Sequence, residues 1–494
     1  MRSNSWRRLP ALCLALALAA QTDGVAAQNT EPGAPSAPGA VLDSILHSAP
    51  LSRAHWGVAV YDRADGSPVL LHNEGRLFTA ASTMKLVTAA AALDLLGAEY
   101  RFRTDVVGEW GPDGVADRLT VEGGGDPSLT DAFFDHPLAP LDSLADSLAA
   151  AGLRRVVGPL VIDQTRFDSV AIFPAWETFD LDWYYAAPVA PFAVMAASYE
   201  VIVTPDPRYG PAQVATPHAA GLVGIDAGIR TVSGGDDWDD ALRRLPEADS
   251  LVLRGTIGVD AGPDTSWIAQ TRPGHTAGRA FQVALERAGI QVDRPVVVRY
   301  TPNPEADAGP GARTVSWRSP PLVAIMRVAL ERSDNWITEQ VVKTMAARLV
   351  GLGTWSGGRL MVSRFLTRDV GIPEDAYYLR DGSGLSPQGL LTPEAVTALL
   401  RYVDEQPWSV AYRDALARPG EPESTLEDRL LQYGDRVLGK TGTLRHVNAL
   451  SGYLVTRSGR ELVFSILSNG SGRPSWEVQA AVDRIVESLI EDRS

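Results

Sequence analysis

The segment WEVQAAVDRIVESLIED (Trp476–Asp492) repeats apolar residues at three- and four-residue intervals, with Val478, Val482, Ile485 and Leu489 in one row. That spacing predicts a helix with a single apolar face. Its opposite face carries Glu477, Asp483, Glu487 and Glu491, whereas a helix lying in a membrane interface needs lysine and arginine there. The helix is therefore expected to pack on a sheet. The strands of that sheet precede it: RVLGKTGTL (Arg436–Leu444) and ALSGYLVTRSGRELVFSILSN (Ala449–Asn469) have the β-branched and aromatic content of strands. At the other end of the chain, HWGVAVYDRADGSPVLLHN (His55–Asn73) predicts two strands about an Asp65-Gly66 turn, after a short amphipathic helix, VLDSILHS, starting at Val41. Between these ends, from Pro320 onward, four helical patterns follow one another: PPLVAIMRVALER, NWITEQVVKTMAARLVG, GGRLMVSRFLTRDVG and TPEAVTALLRYVDE. In the last of them Thr392 caps and Pro393 takes the first turn. Strands at both ends with helices between predict one α/β domain whose sheet is completed by the C-terminus.

The middle of the chain has another texture. Short strand-like runs (RFRTDVVGEW, DRLTVEGG, RRVVGPLVID) surround one helix, LDSLADSLAAAG, and an aromatic, proline-rich stretch follows from Phe173 to Phe192. A region rich in glycine and aspartate extends to about Ala248, and Leu251–Tyr300 returns to strands with the helix GRAFQVALERAG. About 200 residues are far too many for a structureless connection inside a compact domain. The expected organisation is a catalytic domain of residues 41–101 and 302–494, interrupted by inserted β-rich modules over 102–301, with a nested subdomain about 173–250.

Composition narrows the setting. The chain has 494 residues, 45% of them apolar, and a net charge of −15, an acidic balance that argues against nucleic acid and anionic lipid as partners. MRSNSWRRLPALCLALALAAQTDGVAA has a basic start, an apolar stretch and the small residues Val25-Ala26-Ala27, which reads as a secretory signal over 1–27 cleaved near Ala27. A Pro/Gly/Ala/Ser leader is expected over 28–40. The only cysteine, Cys13, falls inside the signal, and the residue before it does not suit lipoprotein cleavage. A periplasmic or extracellular protein without disulfides, lipid or membrane anchor is expected.

Three stretches carry chemistry. ASTMKL (Ala81–Leu86) sets Ser82 three residues before Lys85 at a helix start, so the two side chains share a face. Serine is also a common helix cap, and this stretch alone leaves both readings open. SDN (Ser333–Asn335) lies between two helices, and KTGT (Lys440–Thr443) opens a hairpin; each alone is an ordinary cap or strand edge. In this order they form a signature. A serine hydroxyl needs an adjacent base to become a nucleophile, and Lys85 can be that base only if burial or a nearby cation such as Lys440 makes it neutral. Ser333 and Asn335 bring a hydroxyl and an amide suited to passing a proton to a leaving amine and holding a peptide carbonyl. Lys440 is expected to be a fixed positive charge for a carboxylate, Thr441 and Thr443 add hydroxyls, and Gly442 allows close approach of a substrate chain.

The triple motif resembles that of the penicillin-recognising serine enzymes. With GGGDPSL (Gly123–Leu129), SDNWITEQVVK, DGSGLSPQGLLTP and GKTGTL, the chain from about Val41 onward is similar to the D-alanyl-D-alanine carboxypeptidase/endopeptidase family of low-molecular-mass class C penicillin-binding proteins. A long insertion between the first two motifs is a hallmark of that family. The resemblance implies an α+β, transpeptidase-like domain with an antiparallel sheet flanked by helices, and a D-Ala-D-Ala peptidase acting on peptidoglycan stem peptides through an acyl-enzyme. It implies catalytic Ser82, Lys85, Ser333, Asn335 and Lys440, substrate binding by Thr441, Gly442 and Thr443, and β-lactams as covalent inhibitors. The oxyanion hole is then formed by the backbone N–H groups of Ser82 and Thr443. No metal or other cofactor is expected. Two alternatives are a serine β-lactamase, disfavoured because no asparagine lies between Asn335 and Lys440, and a silent cell-wall-binding protein. Asp126 in GGGDPSL is expected to be structural, DGSGL (Asp381–Leu385) to shape the cleft wall, and the insertion to position polymer without taking part in chemistry.

Overall fold

A computed structural model describes residues 38–235, 238–245, 250–302 and 311–492. The expected signal over 1–27 and most of the leader lie outside them.

The central sheet has five antiparallel strands in the order Val437–Leu444, Val447–Val455, Glu461–Asn469, His55–Asp62, Pro68–His72. The N-terminal strand pairs with the last one along its whole length, Trp56 opposite Ser468 and Val60 opposite Phe464, so the sheet closes as the sequence predicts. Its middle strands are buried on both faces, which explains why their apolar runs are nearly continuous rather than alternating. One face is covered by the C-terminal helix, Ser475–Glu491, through Val478, Val482, Ile485 and Leu489, together with Leu42 and Ile45 of the first helix. That first helix spans Pro38–His47 and begins three residues before the expected Val41, since proline is well tolerated in a first turn. The other face packs on helix Pro393–Asp404 and on the Ala81–Thr83 turn, with helices Met84–Leu96, Leu322–Glu331 and Asn335–Leu349 in the same core, and Thr392 caps Pro393–Asp404 by accepting from the Ala395 amide.

A second sheet gathers Arg103–Trp110, Val115–Glu122, Arg155–Val156, Leu160–Asp163, Gln291–Val292 and Val297–Arg299. Its core, built on Val106, Leu119, Val121 and Ile162, is closed by helices Ala139–Ala150 and Pro273–Arg287. This sheet passes the expected boundary at 301, because Arg313–Arg318 pairs antiparallel with Arg103–Trp110. Two small three-stranded sheets, built from Ser198–Thr204, Gln213–Ala215 and Asp264–Ala269 and from Gly224–Val232, Asp239–Leu245 and Ser250–Gly258, are nested further in.

The aromatic stretch Phe173–Phe192 was expected to open the nested subdomain; much of it packs instead into the core around the central sheet. Phe173 and Trp176 contact Trp355 edge-on, with ring centroids 5.4 and 6.1 Å apart. The Asn335–Leu349 helix holds the backbone of this stretch: Trp336 Nε1 donates to the Pro188 carbonyl at 3.0 Å and Gln340 Nε2 to that of Ala190 at 2.9 Å. Lys343 Nζ donates to Asp168 Oδ1 and the Val170 carbonyl, both at 2.6 Å. Asp126 has the structural role expected of it. Its buried carboxylate accepts from the Ser128 amide and hydroxyl and from Trp317 Nε1, and burial pushes it up to about 6.

Candidate active site

Ser82 lies in a single 3-10 turn, Ala81–Thr83, that runs directly into the Met84–Leu96 helix. The cap positions of the turn and the helix, Ala80 and Thr83, make no side-chain cap bond. Ser82 Oγ instead lies 2.9 Å from Lys85 Nζ. The turn is shaped from outside: Ala81 has a left-handed φ of 47°, and a Cβ on Gly384 would stand 1.8 Å from the Ala81 carbonyl. The chain at 384 must therefore be glycine.

Lys85 is 1% exposed and has three partners: Ser82 Oγ at 2.9 Å, Asn335 Oδ1 at 2.5 Å and the Ser383 carbonyl at 2.9 Å. Burial is the main influence on its amine and lowers it from 10.5 to about 8, against the opposing pull of Glu339, Asp334 and Asp381. The partners decide how the neutral amine is oriented. Two of them are amide or peptide oxygens that can only accept, whereas the serine hydroxyl can also donate. A neutral lysine has two hydrogens and one lone pair; the hydrogens go to Asn335 and Ser383. The lone pair is then directed at the Ser82 hydroxyl, as a general base requires.

Asn335 opens its helix behind Asp334, whose carboxylate caps it by accepting from the Ile337 amide at 2.8 Å. Ser333 before them has φ 61°. The Asn335 amide is held at both ends, since its Nδ2 donates to the Tyr185 carbonyl at 2.8 Å and leaves one N–H over. Tyr185 belongs to the inserted region, whose backbone thus helps to orient Asn335.

Lys440 is fully buried, and its Nζ donates to the Thr441 carbonyl at 2.9 Å. Burial first, and then the charge of Lys85, hold it well below the usual lysine range. Of the two routes open for lowering Lys85, burial or a nearby cation, burial is the main one. The Val437–Leu444 strand is an edge strand. Ala417 bridges it at Gly439 with two 3.0 Å hydrogen bonds, and beyond that point Thr441–Thr443 run past the Ser82 turn. A Cβ on Gly442 would lie 3.1 Å from the Ala80 carbonyl, and the Thr443 side chain is exposed.

The structure thus brings Ser82, Lys85 and Asn335 into direct contact and sets the Lys440 strand against their turn. Sequence reasoning missed Glu339 and the backbone carbonyls of Tyr185 and Ser383. Glu339 was within reach, because it follows Asn335 by four residues on one helix face; a carbonyl carries no sequence signal. Among the described residues no group of three or more His, Cys, Asp or Glu side chains is placed to hold a metal, and no helix is long and apolar enough to cross a membrane.

Residues 39–489 match the family model of D-Ala-D-Ala carboxypeptidase 3 (S13). The chain belongs to this family. It is a serine-type, penicillin-binding D-Ala-D-Ala carboxypeptidase in class. Among curated relatives of this S13 chain, a D-alanyl-D-alanine carboxypeptidase of Actinomadura sp. (strain R39) is 33% identical over 465 residues, covering 89% of this chain and 82% of the relative. Among solved structures, penicillin-binding protein 4 of Haemophilus influenzae has a similar fold, with a TM-score of 0.78 at 20% identity, covering 92% of this chain and 99% of the other. A predatory peptidoglycan endopeptidase of Bdellovibrio bacteriovorus matches with a TM-score of 0.50 at 16% identity over 88% of this chain and 93% of its own.

Proposed function

We propose that this S13 enzyme is exported and cleaves the D-Ala-D-Ala end of peptidoglycan stem peptides with Ser82 as nucleophile and Lys85 as base. The observation that carries this reading is the 2.9 Å contact of Lys85 Nζ with Ser82 Oγ, beside two other partners of that amine, Asn335 Oδ1 and the Ser383 carbonyl, that can only accept. Ser82 Oγ attacks the penultimate D-Ala carbonyl as its proton moves to Lys85 Nζ, and the backbone N–H groups of Ser82 and Thr443 bind the oxyanion. A hole of this kind contributes about 3 to 4 kcal/mol per donor. The proton then reaches the leaving amine through the Ser333 hydroxyl, the C–N bond breaks, and D-alanine departs. Water, deprotonated by Lys85, hydrolyses the ester. The free N–H of Asn335 holds a substrate carbonyl, and the substrate chain lies along the open edge at Thr441–Thr443. The inserted modules position the polymer and limit access.

Product masses from digested peptidoglycan test the substrate. Release of single alanine residues is expected for carboxypeptidase action and conversion of cross-linked dimers to monomers for endopeptidase action; penicillin labelling with neither product would overturn the reading in favour of a silent binding protein. Lys440 is proposed to gain its proton together with a bound carboxylate. Lys440→Ala is therefore expected to lower kcat/KM for peptides with a free terminal carboxylate at least tenfold more than for the matching esters. Equal losses on acid and ester would remove Lys440 from carboxylate recognition.

A further inference from the structure

Of the two hydrogens that neutral Lys85 gives away, one goes to the Ser383 carbonyl, so the position of that carbonyl decides where the lone pair points. The carbonyl sits in the loop 381–386, which has no regular structure of its own and must be held from outside. Glu339 holds it. Its carboxylate, fully buried, accepts from the Ser383 amide at 2.7 Å and the Gly382 amide at 3.0 Å, and a third donor, Trp355 Nε1, reaches it at 2.7 Å. Asp381 closes the loop on itself through the amides of Gly384 and Ser386 and ties it to Trp176. Thr88, one turn along from Lys85, donates to the Gly382 carbonyl at 2.7 Å. The Gly382–Ser383 peptide is thus bonded to the Lys85 helix and to Glu339, which shares a helix with Asn335. The same helix supplies both acceptors that receive Lys85, Asn335 directly and Ser383 through Glu339.

A buried carboxylate is costly unless its hydrogen-bonding capacity is filled, and three converging N–H groups fill it here. No part of the acylation sequence above uses Glu339. We infer that Glu339 is a positioning residue for the Lys85 base, acting through the Gly382–Ser383 backbone that it holds. The inference rests on the reading of Lys85 as the base. The charged groups around Glu339 are Asp381 from the loop, Lys343 from its own helix and Lys85 from the serine helix; around Lys85 they are Glu339, Asp334, Asp381 and Lys440.

Glu339→Gln keeps the shape but leaves one N–H facing another donor, whichever way the amide turns. Its kcat for peptide hydrolysis and its penicillin acylation rate are expected to fall about tenfold or more with KM within about twofold, as a displaced base gives. The pH midpoint of acylation should move down, since a negative charge beside Lys85 is lost. Glu339→Asp keeps the charge but draws the carboxylate back from the loop amides; kcat should fall roughly fivefold with the midpoint unmoved. Either variant, folded by thermal melt and circular dichroism, acylating at the wild-type rate would overturn the inference, and the aspartate variant decides the matter if the glutamine variant does not fold. Lys85→Ala measured beside them separates the two readings. If it retains acylation, Lys85 is not the base; if it is inactive while both Glu339 variants behave as wild type, only the positioning role fails.

Discussion

Ser82→Ala is expected to lose all covalent labelling by a reporter penicillin while melting within a degree or two of the wild type. The side chain bonds Lys85 and caps no backbone N–H, so its removal costs little stability, whereas loss of a true N-cap costs about 1 kcal/mol. The Ser82 turn is shaped by Gly384 against Ala81 rather than by the hydroxyl. Intact-protein mass spectrometry after a penicillin pulse measures the adduct directly. Wild-type labelling in the variant would make another residue the nucleophile.

The second large effect is expected at Lys85. Its replacement by alanine removes the only side-chain amine bonded to Ser82 among the described residues, and acylation should slow by about 10² to 10⁴ for every substrate, the usual contribution of a positioned general base. On the proposed mechanism the base is the neutral form of Lys85. Because burial lowers the amine to about 8, acylation should rise with pH through that value and level off above it. The sign for stability follows from the same shift. Between pH 10.5 and 8 the unfolded chain binds the Lys85 proton while the folded one does not, so the fold loses stability as pH falls through this window. Below it the cost is constant, at about 3 kcal/mol from roughly 1.4 kcal/mol per unit. Stopped-flow acylation rates between pH 6 and 10 check the catalytic half: a rate independent of pH through 8 would contradict a neutral-lysine base.

Much of the central domain was legible because its signals are local. Apolar periodicity identified the C-terminal helix and the face it buries, and Thr392-Pro393 marked a helix start. The runs at His55 and Glu461 announced strands, although their pairing is a long-range event. At the site, the three-residue spacing from Ser82 to Lys85 was sufficient to bring them together, because helix geometry fixes it. The stretch Phe173–Phe192 was misread for the opposite reason: its aromatic and proline content says that it is buried but not against what, and the partners are Trp336, Trp355 and Gln340 far along the chain.

The sequence by itself determined the order of the three motifs, the class of chemistry they support, and a domain whose sheet is completed by its last strands, since all of these follow from residue type and short-range spacing. The tertiary structure alone decided how far each of the two lysines is desolvated. Desolvation depends on every atom packed around an amine, and burial lowers Lys85 and Lys440 both, where residue types alone suggested a neutral base beside a permanent cation. It also decided which groups Lys85 meets. The acceptors that orient Lys85 are an asparagine 250 residues away and a backbone carbonyl, held by Glu339, and a carbonyl is common to every residue. Its chemical importance comes only from where the fold puts it.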